Sequence, residues 1–207
     1  MLIKEISTCK KCGLHRLRRN PVPGEGPLNA KVLFIGEAPG EKEDEQGRPF
    51  VGAAGKLLNK LLEIAGLSRS KVFITNIIKC RPPGNRDPTD EEVRACIDYL
   101  WRQISLIKPK VIVTLGRHAA RVLFNKANLK WDSMSQRHGH IYPVEILGLK
   151  IILIPTYHPA AALYNPKLRK LLEEDFKKIG QALQREDRLT RPRTLFDYLA
   201  LKGNKVS

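Results

Sequence analysis

Four short runs of apolar, largely β-branched residues constrain this chain more than any other feature: positions 31–35, 72–77, 110–115 and 150–154. Each is short for a helix and carries few polar interruptions. That is the pattern of strands buried on both faces of a parallel sheet. The stretches between them read as helices. At 55–65 leucines recur in adjacent pairs four residues apart. Thr89, with Glu92 three residues later, is a capping box that opens a helix to about Ile107. Positions 117–124 and 167–183 supply two more, the last amphipathic. Alternating strands and helices imply an α/β fold, here one domain with a central four-stranded parallel sheet flanked by helices. Right-handed crossovers then put every strand C-terminus on one rim. The domain is expected to span 1–183, with 184–207 a polar tail holding one apolar cluster.

The chemistry-bearing residues gather at that rim. The first strand ends in Gly36-Glu-Ala-Pro-Gly40, the second in Thr75-Asn76, the third in Gly116-Arg-His118 and the fourth in Pro155-Thr-Tyr-His158-Pro159. Ligands of open parallel sheets sit at such ends. Neither a G-x-G-x-x-G nor a phosphate-loop lysine pattern follows the first strand, which disfavours a dinucleotide or nucleoside triphosphate site. Glu37 and Glu43 are the carboxylates available for chemistry, the alternative for 41–45 being a solvated charged loop.

Lysine and arginine number 37 against 21 aspartates and glutamates, a formal charge of +16. Such an excess favours a polyanionic partner. No apolar run reaches membrane-spanning length, and the N-terminus is charged too early for a secretory signal. The expectation is an intracellular, cytoplasmic protein, monomeric by default. Cys9 and Cys12 form a C-x-x-C pair, with Cys80 at the end of the second strand and Cys96 in the following helix. Four cysteines in a reducing compartment suggest metal, and their spacing permits zinc or an iron–sulfur cluster.

Five separated motifs together resemble the family 4 (iron–sulfur) uracil-DNA glycosylases. They are Cys9-Lys-Lys-Cys12, Gly36-Glu-Ala-Pro-Gly-Glu-Lys-Glu-Asp44, Gly47-Arg-Pro-Phe-Val-Gly52, Thr75-Asn-Ile-Ile-Lys-Cys80 and His158-Pro-Ala-Ala161. The resemblance implies an enzyme that flips uracil out of DNA and hydrolyses its N-glycosidic bond, leaving an abasic site. It implies that Cys9, Cys12, Cys80 and Cys96 hold a [4Fe–4S] cluster. Phe50 would stack on the base and Asn76 would read its edge, since a carboxamide offers both a donor and an acceptor. Gly36, Glu37 and Ala38 would face the base. His158 would donate to O2 of the leaving uracil. The loop after His158 would enter the minor groove, with Leu163 as the apolar wedge.

Two departures stand out. Ala38 occupies the place where other members of the superfamily carry a water-binding Asp or Asn, so Glu43 and Glu37 become the candidates for the hydrolytic step. Gly40 stands where an aromatic block to thymine is usual. In the tail, Leu195 and Tyr198-Leu199 resemble the short motif that docks repair enzymes on the sliding clamp, with Pro192 in place of the usual glutamine. Two other readings compete: a non-catalytic, cluster-bearing DNA-binding repair subunit of the same fold, and a zinc-bound nucleotide hydrolase.

Overall fold

The computed structural model describes the backbone of residues 1–190 and the side chains of residues 1–184. The tail residues Leu195, Tyr198 and Leu199 lie outside the described part. The elements in chain order are α1 (Leu2–Ser7), β1 (Val32–Gly36), α2 (Glu41–Gln46), α3 (Ala53–Ile64), β2 (Phe73–Asn76), α4 (Asp90–Ile107) and β3 (Val111–Leu115). Then come α5 (Arg117–Lys126), α6 (Met134–Arg137), β4 (Tyr142–Ile146), β5 (Leu149–Thr156), α7 (Pro159–Ala162) and α8 (Pro166–Thr190).

The strands form one sheet in the order β2-β1-β3-β5-β4. The four apolar runs are its four parallel strands β2, β1, β3 and β5. A fifth strand, β4, pairs antiparallel with β5 along the edge. Its residues alternate between partly covered and exposed, and it contains Pro143, features of an edge rather than a doubly covered strand and the reason the sequence does not reveal it. Its hairpin turns at Leu147 and Gly148, both at positive φ.

Alternate side chains of each buried strand feed separate cores. Leu33, Ile35, Ile112 and Leu153 pack with Ile6, Tyr99, Leu100 and Leu123 from α1, α4 and α5. Val32, Phe34, Val113 and Ile154 pack with Leu58, Leu61, Leu172 and Phe176 from α3 and α8. Covering both faces explains why the runs are nearly uninterrupted. The capping box at α4 forms as read: Thr89 Oγ1 accepts the Glu92 N–H and the Glu92 carboxylate accepts the Thr89 N–H.

Two expectations are corrected. The charged segment after Gly40 is the helix α2, closed by Gly47 at φ 67°, rather than a loop. Its Asp44 is buried and accepts the backbone N–H of Arg19 and Asn20, tying down the N-terminal arm. The last helix also continues past position 183 to Thr190. No described helix is long and apolar enough to cross a membrane.

Candidate active site

β1 has a neighbour on each side, and the connections leaving its two flanks part at its C-terminal end. A crevice of about 290 Å³ opens there, lined by Glu37, Ala38, Pro39, Gly40, Glu43, Phe50, Asn76, Asn85, Arg86 and His158, among others. Six of the seven residues predicted for catalysis or base binding line it. The seventh, Gly36, ends β1 directly against Asn76 and Phe50. Gly36 pairs in register with Asn76. A Cβ at Gly36 would fall 2.4 Å from Asn76 Oδ1 and 2.7 Å from Phe50 Cζ. Only glycine lets both side chains lie over the end of β1.

Asn76 is 1% exposed, yet neither Oδ1 nor Nδ2 has a hydrogen-bond partner. A buried polar group left unpaired costs about 1–3 kcal/mol. A folded protein retains such a group where a ligand completes it. Here the carboxamide presents one donor and one acceptor to the crevice.

The Phe50 ring is 6% exposed and stacks beside His158, with ring centroids 5.5 Å apart and planes at 30°. His158 Nδ1 accepts the Ala160 N–H at 3.1 Å, capping α7. With Nδ1 an acceptor, the imidazole is the tautomer that carries its proton on Nε2, and it enters the crevice as a neutral donor. Burial pushes its pKa down to about 4, with Glu43 opposing. The end of β5 that delivers His158 is anchored from below. Fully buried Asp175 of α8 accepts Thr156 Oγ1 at 2.6 Å and lies 3.0 Å from His138 Nδ1.

The two candidate carboxylates differ. Glu43 Oε1 is engaged by the N–H groups of Val51 and Gly52 at 2.8 and 2.9 Å, while Oε2 faces Gly40. Glu37 is half-buried, and burial raises its pKa above the usual carboxylate value, with His118 opposing and Asp87 adding. His118 thus belongs to the rim: its Nε2 is 3.9 Å from Glu37 and 3.1 Å from Asp87. Ala38 offers no polar atom beyond its backbone. Asn85 and Arg86 were not singled out for the pocket by sequence. They come from the loop after Cys80, a segment rich in arginine and proline. Arg86 is bound bidentate to Glu92 at 2.9 and 2.6 Å, and Arg117 is paired with Asp87 at 2.7 Å.

Beyond His158, Leu163 is half-buried against the second core, whereas Tyr164 beside it is 95% exposed.

The four cysteines converge. Cys9 and Cys12 from the N-terminal arm, Cys80 and Cys96 line one small cavity with Arg18, Lys79 and Tyr99. All four are free thiols. Burial raises the pKa of Cys80, against the opposing effect of Arg18, and raises that of Cys96 to about 11. Arg18 donates to Cys80 Sγ at 3.0 Å and to the Cys9 carbonyl at 3.2 Å. Among the described residues, the trio of His, Cys, Asp or Glu whose ligand atoms all fall within 4.8 Å of one another is Glu37, Asp87 and His118, not the cysteines. Four thiol donors on one cavity are a set that either a single zinc or an iron–sulfur cluster accepts.

Comparison with known proteins gives consistent matches. The family described as the uracil DNA glycosylase superfamily matches residues 23–184. The type-4 uracil-DNA glycosylase of Saccharolobus solfataricus is 53% identical over 99% of this chain and 93% of its own length. That of Archaeoglobus fulgidus is 52% identical over 96% of this chain and 97% of its own. That of Thermotoga maritima is 43% identical over 88% and 93%.

Proposed function

The chain belongs to the uracil-DNA glycosylase superfamily, and on that footing we propose that it excises uracil from DNA and leaves an abasic site. The observation that carries this reading is Asn76: a buried carboxamide with both polar atoms unpaired, beside an aromatic ring and a neutral imidazole. Uracil in a duplex must be flipped out to reach such a crevice. Asn76 Oδ1 then accepts N3–H and Nδ2 donates to O4. Cytosine reverses the polarity at both positions and leaves buried groups unsatisfied. Phe50 supplies the stacking face.

Cleavage of the bond between C1′ and N1 pushes negative charge onto the base. His158 Nε2–H donates to O2, and the backbone at 36–38 adds dipoles toward the same charge. The sugar passes through a cationic state that the rim carboxylates stabilise. Water adds to C1′ and loses its proton. We assign that proton to Glu43, which lines the crevice with its Oε2 beside Gly40, with Glu37 as the second carboxylate. Leu163 supplies the wedge into the vacated stack, and exposed Tyr164 a surface for stacking beside it.

Cys9, Cys12, Cys80 and Cys96 would hold a [4Fe–4S] cluster; when bound, it cross-links the N-terminal arm to the loop after Cys80 and so fixes that basic loop against DNA. The donor set of four thiols on one cavity and the donation from Arg18 to Cys80 Sγ support this. The expected result is abasic product when the purified protein meets a uracil-containing oligonucleotide, from a brown preparation that contains iron and sulfide. A wild-type protein that yields no abasic sites would overturn the enzymatic reading and leave a non-catalytic DNA-binding subunit.

For a second partner we propose a sliding clamp, engaged through Leu195, Tyr198 and Leu199. Truncation after Thr190 spares α8 and is expected to abolish clamp binding in a pull-down. Unchanged binding would end the idea.

A further inference from the structure

The segment that carries Phe50 is held by two side chains that come from other parts of the fold. Phe50 lies at φ 50°, a left-handed conformation that few aromatic residues adopt. Left to itself, this backbone would relax and carry the ring away from the crevice. Arg69 prevents this from one side. Its Nη2 donates to the Pro49 carbonyl at 2.5 Å and its Nη1 to the Phe50 carbonyl at 3.2 Å. Glu43 acts from the other side, accepting the next two N–H groups, those of Val51 and Gly52. Four successive residues are thus held through two carbonyls and two amides.

Arg69 is itself fixed. Asn59 Oδ1 of α3 accepts from Nη1 at 3.2 Å, and Glu25 lies 3.5 Å away while gripping Arg48 at 2.8 and 3.1 Å. The first turn of α3 closes the space beneath: a Cβ at Gly55 would sit 1.9 Å from the Phe50 carbonyl oxygen. The guanidinium suits the task because its planar fork reaches two consecutive carbonyls at once, which an ammonium on a single stem does not.

We propose that Arg69 is a positioning residue for base recognition, acting through the Pro49 and Phe50 carbonyls to hold the Phe50 ring where the flipped base stacks. This deepens the uracil-glycosylase reading and rests on it. Arg69 lies in the turn before β2, almost twenty residues from the ring it controls, and makes no contact with the crevice of its own.

The test is a double-mutant cycle on Arg69 and Phe50, read by single-turnover excision of uracil and by competition with free uracil. Arg69→Ala is expected to lower kcat/KM by about 10- to 100-fold and to weaken competition by free uracil, because misplacing a binding group costs rate at this scale. Arg69→Lys is expected to recover only part of the loss. In a Phe50→Leu background, Arg69→Ala is expected to cost less than about twofold more, since the residue it positions is already gone. Equal losses in both backgrounds would show that Arg69 serves the fold generally and would overturn the proposal. So would wild-type kcat/KM in the single variant. Should Arg69→Ala fail to fold, Arg69→Lys carries the same cycle. Wild type run alongside separates this from the parent reading: no abasic product from wild type refutes uracil excision itself, whatever Arg69 does.

Discussion

Asn76→Leu is expected to reduce uracil excision by about two to four orders of magnitude while leaving the melting temperature unchanged or higher. Those signs are unusual together for a residue 1% exposed. Replacing a buried polar residue ordinarily breaks hydrogen bonds and destabilises the fold. Here Oδ1 and Nδ2 have none to break. Leucine has a similar volume and removes two unsatisfied polar atoms, so the folded state loses nothing it held. Excision loses both contacts to the base edge, each worth about 1–3 kcal/mol in a desolvated site, hence the range given. Thermal denaturation beside single-turnover excision measures both. A melting temperature several degrees lower would show that the Asn76 carboxamide serves the fold, contrary to its placement.

The second large effect concerns His158. His158→Ala is expected to lower kcat by about 10²–10³-fold, the usual cost of removing one donor from a developing oxyanion. His158→Gln, which retains an N–H donor, is expected to recover part of this. The pH profile discriminates further. The folded pKa is about 4, below the ordinary 6.5, because burial penalises the imidazolium. The Ala160 N–H at Nδ1 also opposes a proton there. The neutral donor is therefore complete at pH 7 and should persist through pH 5. Stability follows the same sign. An unfolded chain takes up this proton near pH 6.5 and the folded one only near pH 4, so the contribution is full above 6.5 and is lost as pH falls through about 4. A wild-type acid limb near pH 6.5 that disappears in His158→Gln would refute the neutral donor.

Much of the architecture was legible because its cause is local. Runs buried on both faces need continuous apolar residues, so the four parallel strands showed themselves. Thr89 and Glu92 satisfy each other within one turn, so the start of α4 was readable to the residue. The edge strand β4 and the helix α2 were not. One is half-exposed and proline-bearing, and the other is so charged that its hydrophobic pattern is slight; its buried Asp44 gains that place only from partners at Arg19 and Asn20.

The site divides along the same line. Asn76 and His158 could be named because strand ends of a parallel sheet must meet on one rim, and Phe50 and the four cysteines because their motifs resemble those of the family. How they act there depends on distances between residues far apart in sequence. Gly36 is required because Asn76 and Phe50 both close over it. The protonation of His158 follows from its burial and from Ala160. Glu43 holds a backbone loop as well as facing the crevice, and Arg69 enters only because the turn before β2 returns beneath Phe50. The sequence by itself determined which side chains are available and that the parallel sheet would gather them. Tertiary structure alone decided which polar atoms are buried without partners and which are already engaged, because burial and hydrogen bonding are properties of the packed neighbourhood rather than of any residue's place in the chain.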